Sequence, residues 1–225
     1  MYNKPLAPIL SFTDLPHSFT QIRGFSLVSK LHNSILGISE NTDLIAGVYE
    51  GGLKVWECGI DMMEYLKENV SIEGKRVLEL GCGHGIPGIY CANQGASEVV
   101  FQDYNEEVLR NVTMPNFKRN CGERNGTFYS GAWGDYSELG GFDVILTADT
   151  IYSVPSYDSL LEAIRTTLNT IGECYVACKA FYFGVGGGTE FFTSAAQAKG
   201  FAVECVKEIF EIASVRHILK LTHLS

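Results

Sequence analysis

The sequence lacks the features that define several classes of protein. Over 225 residues it has no apolar run near the roughly 18 residues of a membrane-spanning helix, so no membrane partner is expected. Residues 1–16 contain three of only six prolines and no long apolar stretch, so they do not resemble a secretion signal. Basic residues are few, because 17 Lys and Arg face 26 Asp and Glu, which gives a net charge of −9. This acidic balance argues against direct nucleic-acid binding and suits small molecules or basic protein partners.

The seven cysteines do not form the paired spacings typical of a zinc site. Cys174 and Cys178 lie in an apolar, strand-like run without a second Cys or His pair nearby, so we predict buried thiols and no metal. An odd number of cysteines and no secretion signal predict reduced thiols. We therefore expect an intracellular protein, in the cytoplasm and/or the nucleus.

From about residue 47, short apolar strands alternate with helical windows. The pattern predicts strands at 76–80, 98–102, 127–130, 142–147 and 173–179, and helices between them. Such alternation is typical of βαβ units, in which parallel strands form a sheet covered by helices on both faces.

Two further strands, 201–212 and 215–223, follow one another without a helix and must pair antiparallel. We therefore predict an α/β fold with a Rossmann-like, seven-stranded sheet that is mainly parallel and has one antiparallel edge strand. The domain is expected to span residues 47–225. Residues 1–46 are expected to form an arm or a short helical preface.

A glycine-rich segment, 77–88, passes from an apolar strand through a turn into a helix. Gly81 and Gly83 allow the backbone to approach a ligand closely, and the helix N-terminus offers N–H groups to an anion. The dinucleotide spacing read from Gly81 requires glycine at position 86, where Ile stands. Glu79 followed by Gly-x-Gly instead resembles the first motif of the seven-stranded S-adenosylmethionine-dependent methyltransferases. A glycine turn that serves packing alone is the alternative.

Two later residues fit a cofactor that contains a nucleoside. Asp103 ends the next strand, 22 residues after Gly81, where a carboxylate can accept hydrogen bonds from both hydroxyls of a ribose. Its alternative role is to cap the following helix. Trp133, in the run 131–135, can cover an adenine base, and its alternative role is to plug the end of the sheet.

The runs that surround these motifs are more specific. They are 47–58, 101–105, 147–152 and 178–188, and they include Val-Tyr-Glu-Gly-Gly-Leu-Lys and Tyr-Phe-Gly-Val-Gly-Gly-Gly. Over about residues 45–225 this set resembles the eukaryotic protein-histidine N-methyltransferases, a branch of the methyltransferase-like families. The resemblance implies methyl transfer from S-adenosyl-L-methionine, with S-adenosyl-L-homocysteine as product, to a histidine ring nitrogen of a protein. It also implies a basic, large-subunit ribosomal protein as the target.

The motifs and the resemblance assign site residues to three groups. Cofactor contacts are predicted for Tyr49, Glu50, Gly51, Gly52, Trp56, Glu79, Gly81, Gly83, Gln102, Asp103, Tyr104, Asn105, Gly131, Ala132, Trp133 and Thr147. Substrate contacts are predicted for Tyr182, Phe183, Gly186 and Gly187, in a glycine-rich loop that we interpret as a mobile lip.

Asp149 and Tyr152 are the predicted catalytic residues. They form an Asp-x-x-Tyr motif just after the fourth predicted strand, at the edge where open α/β sheets bind ligands. Asp149 is expected to orient or deprotonate the acceptor imidazole, and Tyr152 to form a pocket wall or a hydroxyl contact. The structural alternatives are a loop cap for Asp149 and edge packing for Tyr152. The family often has Glu at position 149, one methylene longer.

Two other functions remain open at this point. Asp-x-x-Tyr alone does not separate a histidine from a lysine methyltransferase, although the two glycine-rich runs favour histidine. A non-catalytic module that binds the cofactor and a protein partner is the third hypothesis. We expect a monomer.

Overall fold

The structure, a computed structural model, describes residues 4–9, 18–29, 31, 33–38, 42–212 and 214–224. The strands in these ranges are β1 (Ala7–Pro8), β2 (Phe19–Ile22), β3 (Phe25–Val28), β4 (Arg76–Leu80), β5 (Glu98–Asp103), β6 (Gly126–Ser130), β7 (Phe142–Ala148), β8 (Leu168–Lys179), β9 (Phe201–Phe210) and β10 (Val215–His223). The α-helices are α1 (Glu57–Asn69), α2 (Ile86–Asn93), α3 (Glu106–Val108), α4 (Met114–Cys121), α5 (Tyr157–Thr167) and α6 (Thr189–Ala198). A π-helical turn, Leu109–Thr113, joins α3 to α4.

The main sheet has the strand order β1-β6-β5-β4-β7-β8-β10-β9. Strands β6, β5, β4, β7 and β8 are parallel, and β10 is antiparallel to both β8 and β9. The prediction of a mainly parallel sheet with an antiparallel edge is confirmed. The sheet has eight strands rather than seven, because β1 pairs antiparallel with β6 and places Ala7 opposite Ser130. This short strand comes from the segment that we expected to form an arm.

Alternating side chains on the central strands divide the core between two layers of helices. Val77 packs in a cluster with α1 and α2, which contribute Met62 and Ile89. The next residue, Leu78, packs on the opposite face with α5 residues that include Leu161. Successive side chains of a strand point to opposite faces, so two buried faces require nearly continuous apolar strands. Helices on both faces are therefore confirmed.

The hairpin of β2 and β3 is attached to α4 by side-chain amides. The Val28 N–H donates to Asn116 Oδ1 over 2.6 Å, and the Ser26 N–H donates to Asn120 Oδ1 over 2.8 Å. These bonds satisfy backbone groups that no strand partner serves. Within the described ranges, no helix combines the length and the apolar character needed to cross a bilayer.

Candidate functional site

The carboxyl ends of β4, β5, β6 and β7 meet at one edge of the sheet and surround a cleft of about 890 Å³. Open α/β sheets with parallel strands bind ligands at this edge. Twelve residues predicted to contact a cofactor line the cleft: Glu50, Gly51, Gly52, Trp56, Glu79, Gly81, Gly83, Asp103, Tyr104, Gly131, Ala132 and Trp133.

The turn after β4 requires glycine at position 81. Gly81 has φ +63°, which L side chains rarely adopt. A Cβ atom there would lie 2.6 Å from the Thr150 methyl carbon and 3.4 Å from the Trp133 ring. The missing side chain therefore lets three loops approach one another at the floor of the cleft.

The Asp103 carboxylate is buried and fixed by two backbone groups. Oδ2 accepts from the Gly83 N–H over 2.9 Å, and Oδ1 accepts from the Asn105 N–H over 3.0 Å. Burial raises the pKa of Asp103 to about 6, and the two hydrogen bonds act in the opposite direction. At pH 7 the group is therefore mainly ionised. A carboxylate offers about four lone-pair sites, so it can accept further donors from a ligand.

Glu79 is another carboxyl group that lines the cleft, and it is also buried. Its Oε2 accepts from the Gly88 N–H, in the first turn of α2, over 2.8 Å. Burial raises the pKa of Glu79 to about 8, and the charge of Asp103 raises it further. A cationic ligand group beside Glu79 would favour the ionised form and offset the burial.

Four residues predicted to contact a cofactor do not line the cleft: Tyr49, Gln102, Asn105 and Thr147. They lie behind it. Asn105 accepts from the Glu50 N–H over 3.1 Å and donates to the Val48 carbonyl over 2.8 Å, so it fixes the loop that covers the cleft. Tyr49 is buried in a cluster with Val108 and accepts from the Leu53 N–H.

Gln102 connects three lining segments from behind the cleft. Its Oε1 accepts from the Gly81 N–H over 3.2 Å and from Trp133 Nε1 over 2.9 Å. Its Nε2 donates to the Gly131 carbonyl over 2.7 Å. These bonds set the orientation of the Trp133 ring, which sequence reasoning expected to cover a base. Thr147 acts similarly, because its hydroxyl donates to the Leu80 carbonyl over 2.9 Å.

A second cleft, of about 990 Å³, opens beside the first. The two clefts share Glu50, Gly51, Trp56, Asp149 and Tyr152. Both predicted catalytic residues therefore lie at their junction. Tyr182 and Phe183, two of the residues predicted to contact the substrate, line the second cleft.

Gly186 and Gly187 do not line the second cleft. The Gly187 N–H donates to the Tyr152 carbonyl over 2.9 Å, and Gly186 forms an antiparallel bridge with Ser153. These glycines attach the predicted lip to the segment that contains Tyr152.

Asp149 has an unusual backbone conformation, and each oxygen of its carboxylate accepts one hydrogen bond. Its φ is +55°, a left-handed value that Asp tolerates better than most residues. Oδ1 accepts from the Tyr182 hydroxyl over 2.8 Å, and Oδ2 accepts from the Cys58 N–H, in the first turn of α1, over 3.2 Å. Burial raises the pKa of Asp149, and Tyr182, Cys58 and Lys179 oppose the shift. Asp149 thus also caps α1, and the helix N-terminus favours its negative charge.

Tyr152 and Glu50 form the other polar pair of the junction. The Tyr152 hydroxyl donates to the Glu50 carboxylate, whose Oε1 also accepts from the Gly47 N–H over 2.5 Å. The sequence places both residues in motifs but gives no sign of their contact, because 102 positions separate them.

Sequence reasoning left His84 out of the cofactor contacts, although it lines the first cleft. Asn116 Oδ1 accepts from Val28, so its Nδ2 faces His84, 3.3 Å from Nδ1 and 3.0 Å from the carbonyl oxygen. Burial lowers the pKa of His84 to about 4, so its ring is neutral at pH 7. The only sign of this position in the sequence is that His84 lies in the glycine-rich turn after β4. Lys179, Phe181 and Val185, in or near the run 178–188, line the second cleft and were also not assigned.

Several solved structures with a similar fold are described as methyltransferases or methylases. Magnesium protoporphyrin IX methyltransferase from Synechocystis PCC 6803 with bound SAH superposes with a TM-score of 0.59, at 16% identity, over 74% of this chain and 81% of that one. The ribosomal protein L11 methylase of Lactobacillus delbrueckii gives 0.58, at 14% identity, over 82% and 91%. At these identities the likeness concerns the fold.

Relatives in sequence carry a narrower description. The histidine protein methyltransferase 1 homologue of Dictyostelium discoideum is 46% identical over 82% of this chain and 62% of its own length. The homologue of Rattus norvegicus is 37% identical over 82% and 60%. The chain thus spans about three-fifths of these relatives, and the predicted resemblance to histidine methyltransferases is confirmed. A family model described as lysine methyltransferase matches residues 30–197. The chain therefore belongs to the lysine methyltransferase family, as a relative of the histidine protein methyltransferases.

Proposed function

We propose that this chain transfers a methyl group from S-adenosyl-L-methionine to a ring nitrogen of a histidine in a protein. The observation that carries the proposal is the junction of the two clefts, where Asp149 and Tyr152 face both. One cleft has the groups that suit a nucleoside with an amino-acid tail. The other is wide enough for a side chain from a protein, and it ends at a carboxylate.

The residues of the first cleft fit S-adenosyl-L-methionine. Asp103 has acceptor capacity left for ribose hydroxyls, and Trp133 has an orientation fixed by Gln102. Glu79 lines the same cleft, where a cationic amino group beside it would favour its ionised form. The bound cofactor supplies an activated methyl group on a sulfonium, and S-adenosyl-L-homocysteine is its product. The turn at Gly81 and Gly83 would lie against the amino-acid end.

The protein's own contribution at the junction concerns the acceptor. A histidine attacks through the lone pair of one nitrogen while the other nitrogen carries a proton. The carboxylate of Asp149 accepts that N–H and thereby selects the tautomer. When the ring gains a methyl group it becomes positively charged, and the same carboxylate stabilises the charge. Tyr182 and Cys58 hold Asp149 in place for both tasks.

The family model's description makes lysine the second candidate acceptor. The ordinary pKa of lysine is about 10.4, and a neighbouring carboxylate favours the ammonium form, which has no lone pair. Imidazole, with a pKa of about 6.5, is already mainly neutral at pH 7. The carboxylates at the junction therefore favour histidine.

The acceptor protein itself follows from the resemblance. We propose a basic ribosomal protein of the large subunit, in agreement with the chain's net charge of −9. The corresponding location is the cytoplasm and/or the nucleus, and the protein is expected to act as a monomer.

Product analysis tests the proposed function. The protein is incubated with radiolabelled cofactor and the salt-extracted proteins of large ribosomal subunits, and the labelled proteins are hydrolysed to amino acids. We expect label in methylhistidine, and about one hundredth of that label in the same time with Asp149→Asn. Label in methyllysine would replace histidine by lysine as the acceptor, and cofactor binding without any labelled product would indicate a non-catalytic module.

Cofactor binding tests the ribose assignment separately. Asp103→Asn removes one acceptor and should weaken binding of S-adenosyl-L-homocysteine by about 1–3 kcal/mol, the cost of an unpaired polar group. Isothermal titration calorimetry measures this change. Glu107→Gln is the matched control, because this carboxyl group of α3 does not line the cleft. An affinity that Asp103→Asn leaves unchanged rules out the ribose contact.

A further inference from the structure

Exposed apolar side chains continue the second cleft onto the surface. Phe183 is 88% exposed, and its ring lies 5.1 Å from that of Phe181 in an edge-to-face arrangement. Val185, in the same loop, is also exposed. All three residues line the cleft that ends at Asp149.

The turn between β9 and β10 extends this surface. The Ala180 N–H donates to the Val215 carbonyl over 2.8 Å, so the loop after β8 lies beside that turn. Ser214, in the turn, lines the second cleft, and Ile212, two positions earlier in the chain, is fully exposed. We define the apolar rim as Phe181, Phe183, Val185 and Ile212.

The exposure of the apolar rim to water requires an explanation. Single exposed apolar residues are ordinary, whereas several on the two loops that line one cleft mark an interaction surface. Burying one leucine-sized side chain contributes about 1.5–3 kcal/mol, so a partner that covers the rim gains affinity from it. Continuity with the clefts indicates that this partner is the molecule whose side chain reaches Asp149.

The charges beside the rim specify that partner further. Lys179 is 3.5 Å from the Glu57 carboxylate, and the Arg216 guanidinium is buried against Asp61 and Glu211. These cations are therefore neutralised by the chain itself. The carboxylates of Glu50 and Asp149 lie at the inner end of the cleft and leave an excess of negative charge. Basic groups on the partner complement this charge.

We propose that the apolar rim is the docking surface for the acceptor protein, which presents apolar side chains on both sides of the target histidine and basic residues beyond them. This inference rests on the proposed function and adds a sequence preference to it. Recognition is thus divided: the junction selects the imidazole, and the rim selects its neighbours.

Labelled peptides test the preference by binding alone, so the test does not require methyl transfer. Each peptide has one central histidine and a lysine at each end; leucines flank the histidine in one peptide and serines in the other. With S-adenosyl-L-homocysteine present, fluorescence anisotropy should show the leucine peptide binding about ten-fold more tightly, as the burial of one or two leucines predicts. Replacing the lysines by glutamates should weaken binding of the leucine peptide about five-fold.

Val185→Ser combined with Ile212→Ser should reduce the leucine preference to about two-fold, while calorimetry shows unchanged cofactor affinity. Ile171→Ser is the matched control, because Ile171 is 94% exposed near the amino end of β8, at the opposite edge of the sheet. It should keep the full preference.

Equal binding of the two peptides, or binding of neither, overturns the proposal, as does a preference that survives the double substitution. Sedimentation tests whether a second copy of the chain occupies the rim instead. A dimer that is lost in the double variant would assign the rim to that second copy. Methylhistidine on the peptides is measured independently. Leucine preference without methylation contradicts the proposed function, whereas methylation without preference contradicts the docking surface alone.

Discussion

Asp149→Asn should lower kcat for the histidine acceptor about 100-fold, within the usual range for loss of a group that handles a proton. The amide has nearly the same shape, and its oxygen can still accept from the Cys58 N–H. The amide has no negative charge, so it no longer stabilises the acceptor imidazole when methylation makes that ring positively charged. Cofactor affinity and KM should change less than about two-fold, which places the loss in the transition state.

Tyr182→Phe separates the positioning of Asp149 from its charge. The hydroxyl of Tyr182 donates to Asp149 Oδ1 and lowers the pKa of that carboxyl group. Without the hydroxyl the pKa of Asp149 rises, so the acidic limb of the kcat profile should move to higher pH. In the Asp149→Asn background Tyr182→Phe should not move the acidic limb, because the limb that remains comes from the acceptor imidazole itself. If Asp149→Asn weakens cofactor binding as much as it lowers kcat, Asp149 has a purely structural role instead.

The parts of the site that depend on neighbouring residues were predictable from the sequence. The bounds 76–80 predicted for the first strand are those of β4, and the turn at Gly81 and Gly83 lies at the expected edge. Asp103 contacts that turn through the Gly83 N–H, as the distance along one βαβ unit suggests. Local periodicity and turn chemistry contain this information.

The contacts that complete the site connect distant segments, which periodicity does not encode. Asp149 and Tyr182 are 33 positions apart, and Tyr152 and Glu50 are 102 apart. Pro115 shows a similar limit of local patterns, because proline is disfavoured inside helices, yet Pro115 lies in α4, directly after a π-helical turn. A proline lacks one N–H donor, and the wider turn before it accommodates that loss.

Asp61 also has a distant partner that the local sequence does not indicate. α1 begins at Glu57, four residues before Asp61, so Asp61 lies within the helix and not at its N-cap. Its Oδ2 accepts from Arg216 Nε over 2.5 Å. The Glu211 carboxylate accepts from Nη1 and Nη2 of the same guanidinium. These hydrogen bonds raise the pKa of Arg216, so the guanidinium stays charged although its side chain is only 5% exposed.

Arg216→Met should therefore lower the free energy of unfolding by about 3–5 kcal/mol, because it leaves the Asp61 carboxylate partly buried without its counter-ion. That is a large part of the roughly 5–15 kcal/mol that holds a typical domain together. Urea denaturation followed by circular dichroism measures the change. Arg165→Met is the control: Arg165 pairs with Glu162 on the exposed face of α5, and its loss should leave the free energy of unfolding unchanged within error.

Adding Asp61→Leu to Arg216→Met should recover most of the lost stability, because two apolar side chains replace the pair and no buried charge remains unpaired. The recovery distinguishes an unpaired carboxylate from lost packing of the arginine stem, since lost packing would persist in the double variant. Arg216 also fixes Glu211 in the turn beside the apolar rim. If the pair serves only stability, the double variant should keep the peptide preference of the unaltered chain; a preference lost with stability restored would instead assign the pair to the geometry of the rim.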